Sequence, residues 1–241
     1  MRPTSRPGFT LIELLTVVAI IGVLAAVLIP AAMGVQKRAR VANSQTALSG
    51  WASGLVRYKQ AYGFYPNLAG GTYPTADTCF RLEDGAGASN RGAALIMCLA
   101  GRNPNGGALS AGGTGNRIRW NRNAETFVEF SREDYEDFTK LPVSTDTTGS
   151  IGTGNFLVDR LGNRNIRVAI DFNGNGSITS ASGAPSPNTG IPEEIRNLSG
   201  TSGVPARVIV YTSATDVTAL DVPTAAVGTR RDDYADVISV Q

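Results

Sequence analysis

Histidine is absent from all 241 residues. That absence removes Ser-His-Asp and Cys-His nucleophile activation, His-ligated zinc and haem, and the usual proton shuttle near neutral pH. Most hydrolase chemistry falls with it. Cysteine is nearly missing as well: Cys79 and Cys98 are the only two. Without histidine they are too few for a zinc site, which leaves one disulfide or two buried thiols. Charge is sparse, at 17% of residues, and balanced, with 22 Lys plus Arg against 20 Asp plus Glu. A phosphate backbone requires a clustered basic face, so no nucleic-acid partner is expected. No Gly-x-x-x-x-Gly-Lys-Ser/Thr phosphate loop occurs, so any ATP-driven work belongs to another protein. The 28 Gly and 12 Pro follow no strict period, which excludes a collagen-like rod and points to a loop-rich globular chain.

What the chain does have is one long apolar run. Leu14–Val35 carries no charge and matches the roughly 20 helical residues that cross about 30 Å of hydrocarbon. Its flanks differ from those of a secretory signal: the leader Met1–Gly8 is short, and no small-x-small cleavage site follows the run. Arg2 and Arg6 precede it and Lys37, Arg38 and Arg40 follow it, so charge bias alone leaves orientation open. Glu13 is the only ionisable side chain between Arg6 and Lys37. An acid at the centre of a membrane helix costs about 2.5–3.5 kcal/mol, and less near an interface. Two readings follow: a carboxylate that reaches interfacial water, or one that meets a cation from another copy of the chain.

Arg6-Pro7-Gly8-Phe9-Thr10-Leu11-Ile12-Glu13-Leu14-Leu15, followed by an apolar run ending at Ile29-Pro30, resembles the type IV pilin and type II secretion pseudopilin family. The resemblance implies cleavage between Gly8 and Phe9 by a prepilin peptidase on the cytoplasmic side, and N-methylation of Phe9. It also implies pairing of Glu13 with the Phe9 ammonium of a neighbouring subunit, a contact that holds register more than it adds stability. The rest of the chain would then lie outside the bacterial inner membrane, in the periplasm. In that compartment a Cys79–Cys98 disulfide is the expected state.

Pro30 should kink or locally melt the helix, and Gly22 and Gly34 are small residues suited to close packing. Beyond the basic cluster, Leu48, Trp51, Leu55, Tyr58 and Tyr62 recur at spacings of 3, 4, 3 and 4, a helical seam for packing onto a domain. A helix from about Phe9 to Tyr62 would measure about 80 Å. It should stop at Gly63, before Phe64-Tyr65-Pro66. The expected organisation is a leader at 1–8, a membrane and filament-core segment at 9–35, an amphipathic helical half at 36–63, and a periplasmic globular domain at 64–241. The expected fold class is α+β: a long N-terminal pilin helix on a small antiparallel sheet with long loops.

In the globular part, 67–92 reads as turn-rich, Arg91–Leu99 as a short buried helix, and 101–116 and 144–155 as loops. Glu125–Phe138 mixes six acidic residues with Phe127, Phe130, Tyr135 and Phe138, which fits a short amphipathic helix with a solvated face. Strands are expected at Phe156–Asp159, Ile166–Asp171, Val204–Thr212 and Tyr234–Val240. No cofactor is required, but two segments carry oxygen ligands suited to a structural Ca²⁺. Asp171, Asn173 and Asn175, with Gly176, resemble the start of an EF-hand loop, but the twelfth position is Ser182 where that loop needs a bidentate Glu. An Asn-Gly turn explains the same residues without an ion. Asp232, Asp233 and Asp236 resemble the calcium-binding C-terminal segment of major pseudopilins. The alternative there is a solvated turn neutralised by Arg230 and Arg231. Asp159-Arg160-Leu161-Gly162-Asn163 resembles the family's Asp-Pro-x-Gly-Asn turn, with Arg160 in place of the proline.

The resemblance implies a non-enzymatic subunit of a type II secretion pseudopilus. It would be a homo-oligomer or assemble with other pseudopilins and meet an inner-membrane assembly platform. A type IV pilin or minor pilin for adhesion, twitching or DNA uptake is the alternative. A membrane-tethered periplasmic binding module is a further one, and would be a monomer indifferent to Glu13.

Overall fold

The computed structural model describes residues 10–68, 72–83, 91–109, 120–141, 155–178, 204–212 and 237–240. They form α1 (Leu11–Tyr62), β1 (Thr78–Arg81), α2 (Arg91–Ala100), β2 (Ile166–Ile170), β3 (Val208–Thr212) and β4 (Val237–Val240). The chain divides into two compact units, Met1–Arg40 and Val41–Gln241.

Among its described residues the first unit has no core. Large apolar side chains from Leu11 to Val35 stand exposed on every side of the helix, and this is the one described helix long and apolar enough to cross a membrane. A helix hydrophobic all round expects a hydrophobic surrounding medium. Pro30 lies inside α1 with helical backbone on both sides, so the local melting expected there does not occur. A proline removes one hydrogen bond of the ladder, and the remaining turns carry the helix through.

In the second unit the seam of α1 is buried. Leu48, Trp51, Leu55 and Tyr58 are almost wholly enclosed, together with Ser44 and Ala52, because 3-4 spacing keeps them on one helical face. Gly63 ends the helix at φ +82°, with its N–H donating to the Lys59 carbonyl at 2.8 Å, a conformation that glycine adopts without a Cβ clash.

The four strands form one antiparallel sheet in the order β1-β2-β3-β4. Alternation along each strand sends side chains to two faces. Phe80, Ile166, Val168, Ile170, Val208 and Val210 join α1 and α2 in the main core. Ala169, Ile209 and Tyr211 pack on the opposite face with Ile178, Val204 and Ala206.

This alternation overturns the expected disulfide. Cys98 lies in the main core on α2, whereas Cys79 packs with the second cluster, its Sγ 3.7 Å from the Tyr211 hydroxyl. Both are free thiols, separated by the sheet itself. Burial pushes both thiols upward in pKa, which makes them inert rather than reactive.

Three other expectations change. Strand β1 arises within the stretch read as turns. Its register against β2, with Phe80 opposite Val168, is a long-range partnership that four residues do not announce. Glu125–Phe138 is not an α-helix: the N–H groups of Phe127 and Val128 both donate to the Leu99 carbonyl, at 2.7 and 3.0 Å, so this segment caps the end of α2. Only short 3-10 turns follow, at Arg132–Asp134 and Phe138–Lys140. Gly101 makes the crossing feasible, with φ +63° and a hypothetical Cβ only 2.6 Å from the Ala124 backbone. Phe156–Asp159 forms a single bridge, Leu157 with Tyr135, and Val204 likewise only bridges Ile178.

Candidate functional site

The first described residue supplies the site's geometry. Thr10 precedes the first helical residue, and its hydroxyl accepts the Glu13 N–H at 3.3 Å. In return, Glu13 Oε2 accepts the Thr10 N–H at 2.9 Å and the Thr10 hydroxyl at 2.8 Å. This is a capping box, Thr-x-x-Glu, which satisfies donors that the first helical turn otherwise leaves orphaned. The carboxylate also faces the positive end of the helix dipole. The spacing Thr10-x-x-Glu13 is itself a sequence signal for such a cap, one that the reading of Glu13 as a membrane-embedded acid leaves out. Glu13 therefore has a task inside its own chain. Its Oε1 accepts no hydrogen bond among the described residues, and a carboxylate offers about four acceptor positions. The cap leaves room for a second cationic partner. Gly8 and Phe9 lie outside the described residues, as does the geometry of any contact with the Phe9 amine.

The turn at Asp159–Asn163 is a second, structural centre. Asp159 Oδ1 accepts the N–H groups of Leu161 and Asn163, both at 2.8 Å, and Oδ2 faces the Thr212 hydroxyl at 3.2 Å. The Arg160 N–H donates to Ser44 Oγ at 2.9 Å, fastening the turn to α1. The guanidinium of Arg160 lies 3.1 Å from Asp134 and 3.5 Å from Glu133. The family pattern's proline could make neither contact, so arginine at this position ties the turn to the acidic 129–137 segment.

Burial holds the Asp159 carboxyl above its ordinary pKa, with its backbone donors opposing that shift. The folded state therefore binds this proton more tightly than the unfolded state. Asp159's contribution is complete below the unfolded value of about 3.9 and is lost as pH rises through the folded value. Asp159→Asn keeps an acceptor for the turn and removes the titration. Its stability relative to wild type should improve as pH rises from about 4 to about 7, measured by urea unfolding of the detergent-solubilised chain. A flat or opposite difference would overturn the assignment.

Of the calcium expectations, Asp232, Asp233 and Asp236 lie outside the described residues. In the other loop, Asp171 Oδ1 and Oδ2 accept the N–H groups of Gly174 and Gly176 at 2.7 and 2.9 Å. Asn173 and Asn175 accept those of Asn175 and Ser177 at 2.9 and 2.8 Å. One backbone donor thus meets each of these oxygens, and chained Asx turns hold the loop. Among the described residues no cluster of three or more His, Cys, Asp or Glu is placed to hold a metal ion.

A family profile described as the prokaryotic N-terminal methylation motif matches residues 4–29. Over 76 residues, 31% of this chain and 36% of the relative, the chain is 41% identical to a type IV major pilin protein, PilE1, of Neisseria gonorrhoeae. It is 38% identical over 76 residues to a fimbrial protein of Neisseria meningitidis, covering 45% of that protein. Over 55 residues it is 46% identical to the type IV wide pilus major component PilA4 of Thermus thermophilus, covering 23% of this chain and 39% of the relative. The chain thus spans less than half the length of these curated relatives. No solved structure matches it.

Proposed function

We propose that this chain, type IV pilin-like in its N-terminal segment, is a membrane-anchored subunit that is cleaved after Gly8, methylated on Phe9 and polymerised through α1 into an extracytoplasmic filament. The observation that carries the reading is the juxtaposition in one element of a capped Glu13 with an apolar helical stretch that has no core of its own. Polymerisation supplies other copies of the same helix as its surroundings. The similarity to type IV major pilins favours a pilus subunit. The Asp159–Asn163 turn, which resembles that of major pseudopilins, favours a type II secretion pseudopilin as the second reading.

Electron microscopy of cells carrying an epitope-marked chain separates the two: long labelled surface fibres support the pilus, and short fibres dependent on a secretin support the pseudopilus. Label that stays monomeric in the membrane under all conditions refutes both. In the same cells, a bulky replacement at Gly8 should leave an uncleaved precursor, read by mass spectrometry of the N-terminus. Normal maturation of that variant would remove the peptidase step.

A further inference from the structure

We infer that Arg38 and Arg40 form a cationic collar that holds α1 at the headgroup layer of an anionic phospholipid membrane. The inference rests on the membrane-anchored reading above and adds what fixes the helix at one depth.

Height is the first argument. At 1.5 Å per residue, Arg38 and Arg40 lie about 38 and 41 Å along the helix from Glu13. A bilayer is about 30 Å thick in hydrocarbon and about 40–45 Å including its headgroup zones. With Glu13 in one headgroup zone, both arginines fall in the opposite one, and the uncharged Leu14–Val35 run occupies the hydrocarbon between.

Direction is the second. Two residues apart on a helix means about 200° around the axis for only about 3 Å of rise, so the two arginines project to opposite sides at one level. A protein partner lying along a helix reads side chains at i, i+3, i+4 and i+7 on a single face. A plane of headgroups surrounds the helix, and that is the geometry the pair fits. Lys37 adds a third cation in the same turn of sequence.

Charge is the third. Between Glu13 and Asp77 the chain contains no Asp or Glu, so no i±3 or i±4 acid competes for these cations. Both arginines are exposed, and neither meets an acidic side chain among the described residues. Arginine presents a planar fork of donors suited to phosphate oxygens. Each basic residue near an anionic leaflet contributes an attraction that salt screens.

The test uses the full chain, wild type and R38Q/R40Q, in nanodiscs of phosphatidylcholine mixed with phosphatidylglycerol. Retained lipids are counted by native mass spectrometry, and insertion is checked by resistance to alkaline carbonate. Both proteins should insert. Wild type should retain phosphatidylglycerol over its bulk fraction by about fivefold per arginine, a preference that falls by that factor for each arginine replaced in the variant, which keeps only Lys37 of the three cations, and that weakens at about 1 M salt. Insertion of both proteins with no phosphatidylglycerol preference, or with a preference unchanged in the variant, overturns the collar and leaves the anchor standing. Failure of both proteins to insert overturns the anchor and the collar with it.

Discussion

Glu13→Ala should leave cleavage after Gly8 intact and lower filament incorporation by about a hundredfold to a few thousandfold, because removing one partner of a buried ion pair costs about 3–5 kcal/mol. The capping box adds a control that the charge argument alone lacks. Glutamine also completes such a box, so Glu13→Gln preserves the start of α1 while deleting the charge. Amide hydrogen exchange of the detergent-solubilised monomer should show a frayed first turn in the alanine variant and an intact one in the glutamine variant. Incorporation, read from sheared or purified filaments, should fall in both. A glutamine variant that assembles like wild type would show that the cap suffices and that no carboxylate–ammonium pair forms.

Leu55→Ala should destabilise the second unit by about 2–5 kcal/mol, the usual range for emptying a leucine-sized volume in a packed core. Total stabilities of single domains are only about 5–15 kcal/mol, so this one substitution threatens the folded population. Leu55 is 0% exposed on the seam of α1, whereas Leu24, on the same helix, is 56% exposed. Leu24→Ala removes the same atoms and should leave unfolding of the detergent-solubilised monomer unchanged. Urea denaturation followed by Trp51 and Trp120 fluorescence compares the two. Equal losses would mean that the burial of α1 differs from that described. The contrast also separates folding from assembly, since Leu24 belongs to the exposed part of the helix, which in the proposed function other copies or lipid would cover.

The wrong helix at Glu125–Phe138 and the unforeseen strand at Thr78–Arg81 have a common origin. Acidic and aromatic residues at mixed spacing satisfy a helical template, but the Leu99 carbonyl already accepts the N–H groups of Phe127 and Val128, which are then not available to an α-helix of the segment's own. Thr78–Arg81 has neither length nor strong alternation of its own. It becomes a strand because β2 offers an edge. Pairing Cys79 with Cys98 failed for a related reason. Compartment chemistry says whether a disulfide persists, and only strand register says on which side of a sheet each sulfur stands.

By itself the sequence determined the elements whose signal is local: the apolar stretch, its acidic beginning, the 3-4 seam from Leu48 to Tyr62, the glycine stop at Gly63 and the buried short helix carrying Cys98. Each depends on neighbours within a few turns of chain, where periodicity and capping chemistry act directly. Tertiary structure alone decided the order and register of the sheet, the separation of the two thiols, the tethering of Arg160 to Asp134 and Glu133, and the use of the 125–138 segment as a cap on α2. Those depend on groups tens of residues apart whose meeting is set by which surfaces remain to be buried and which backbone donors remain to be satisfied.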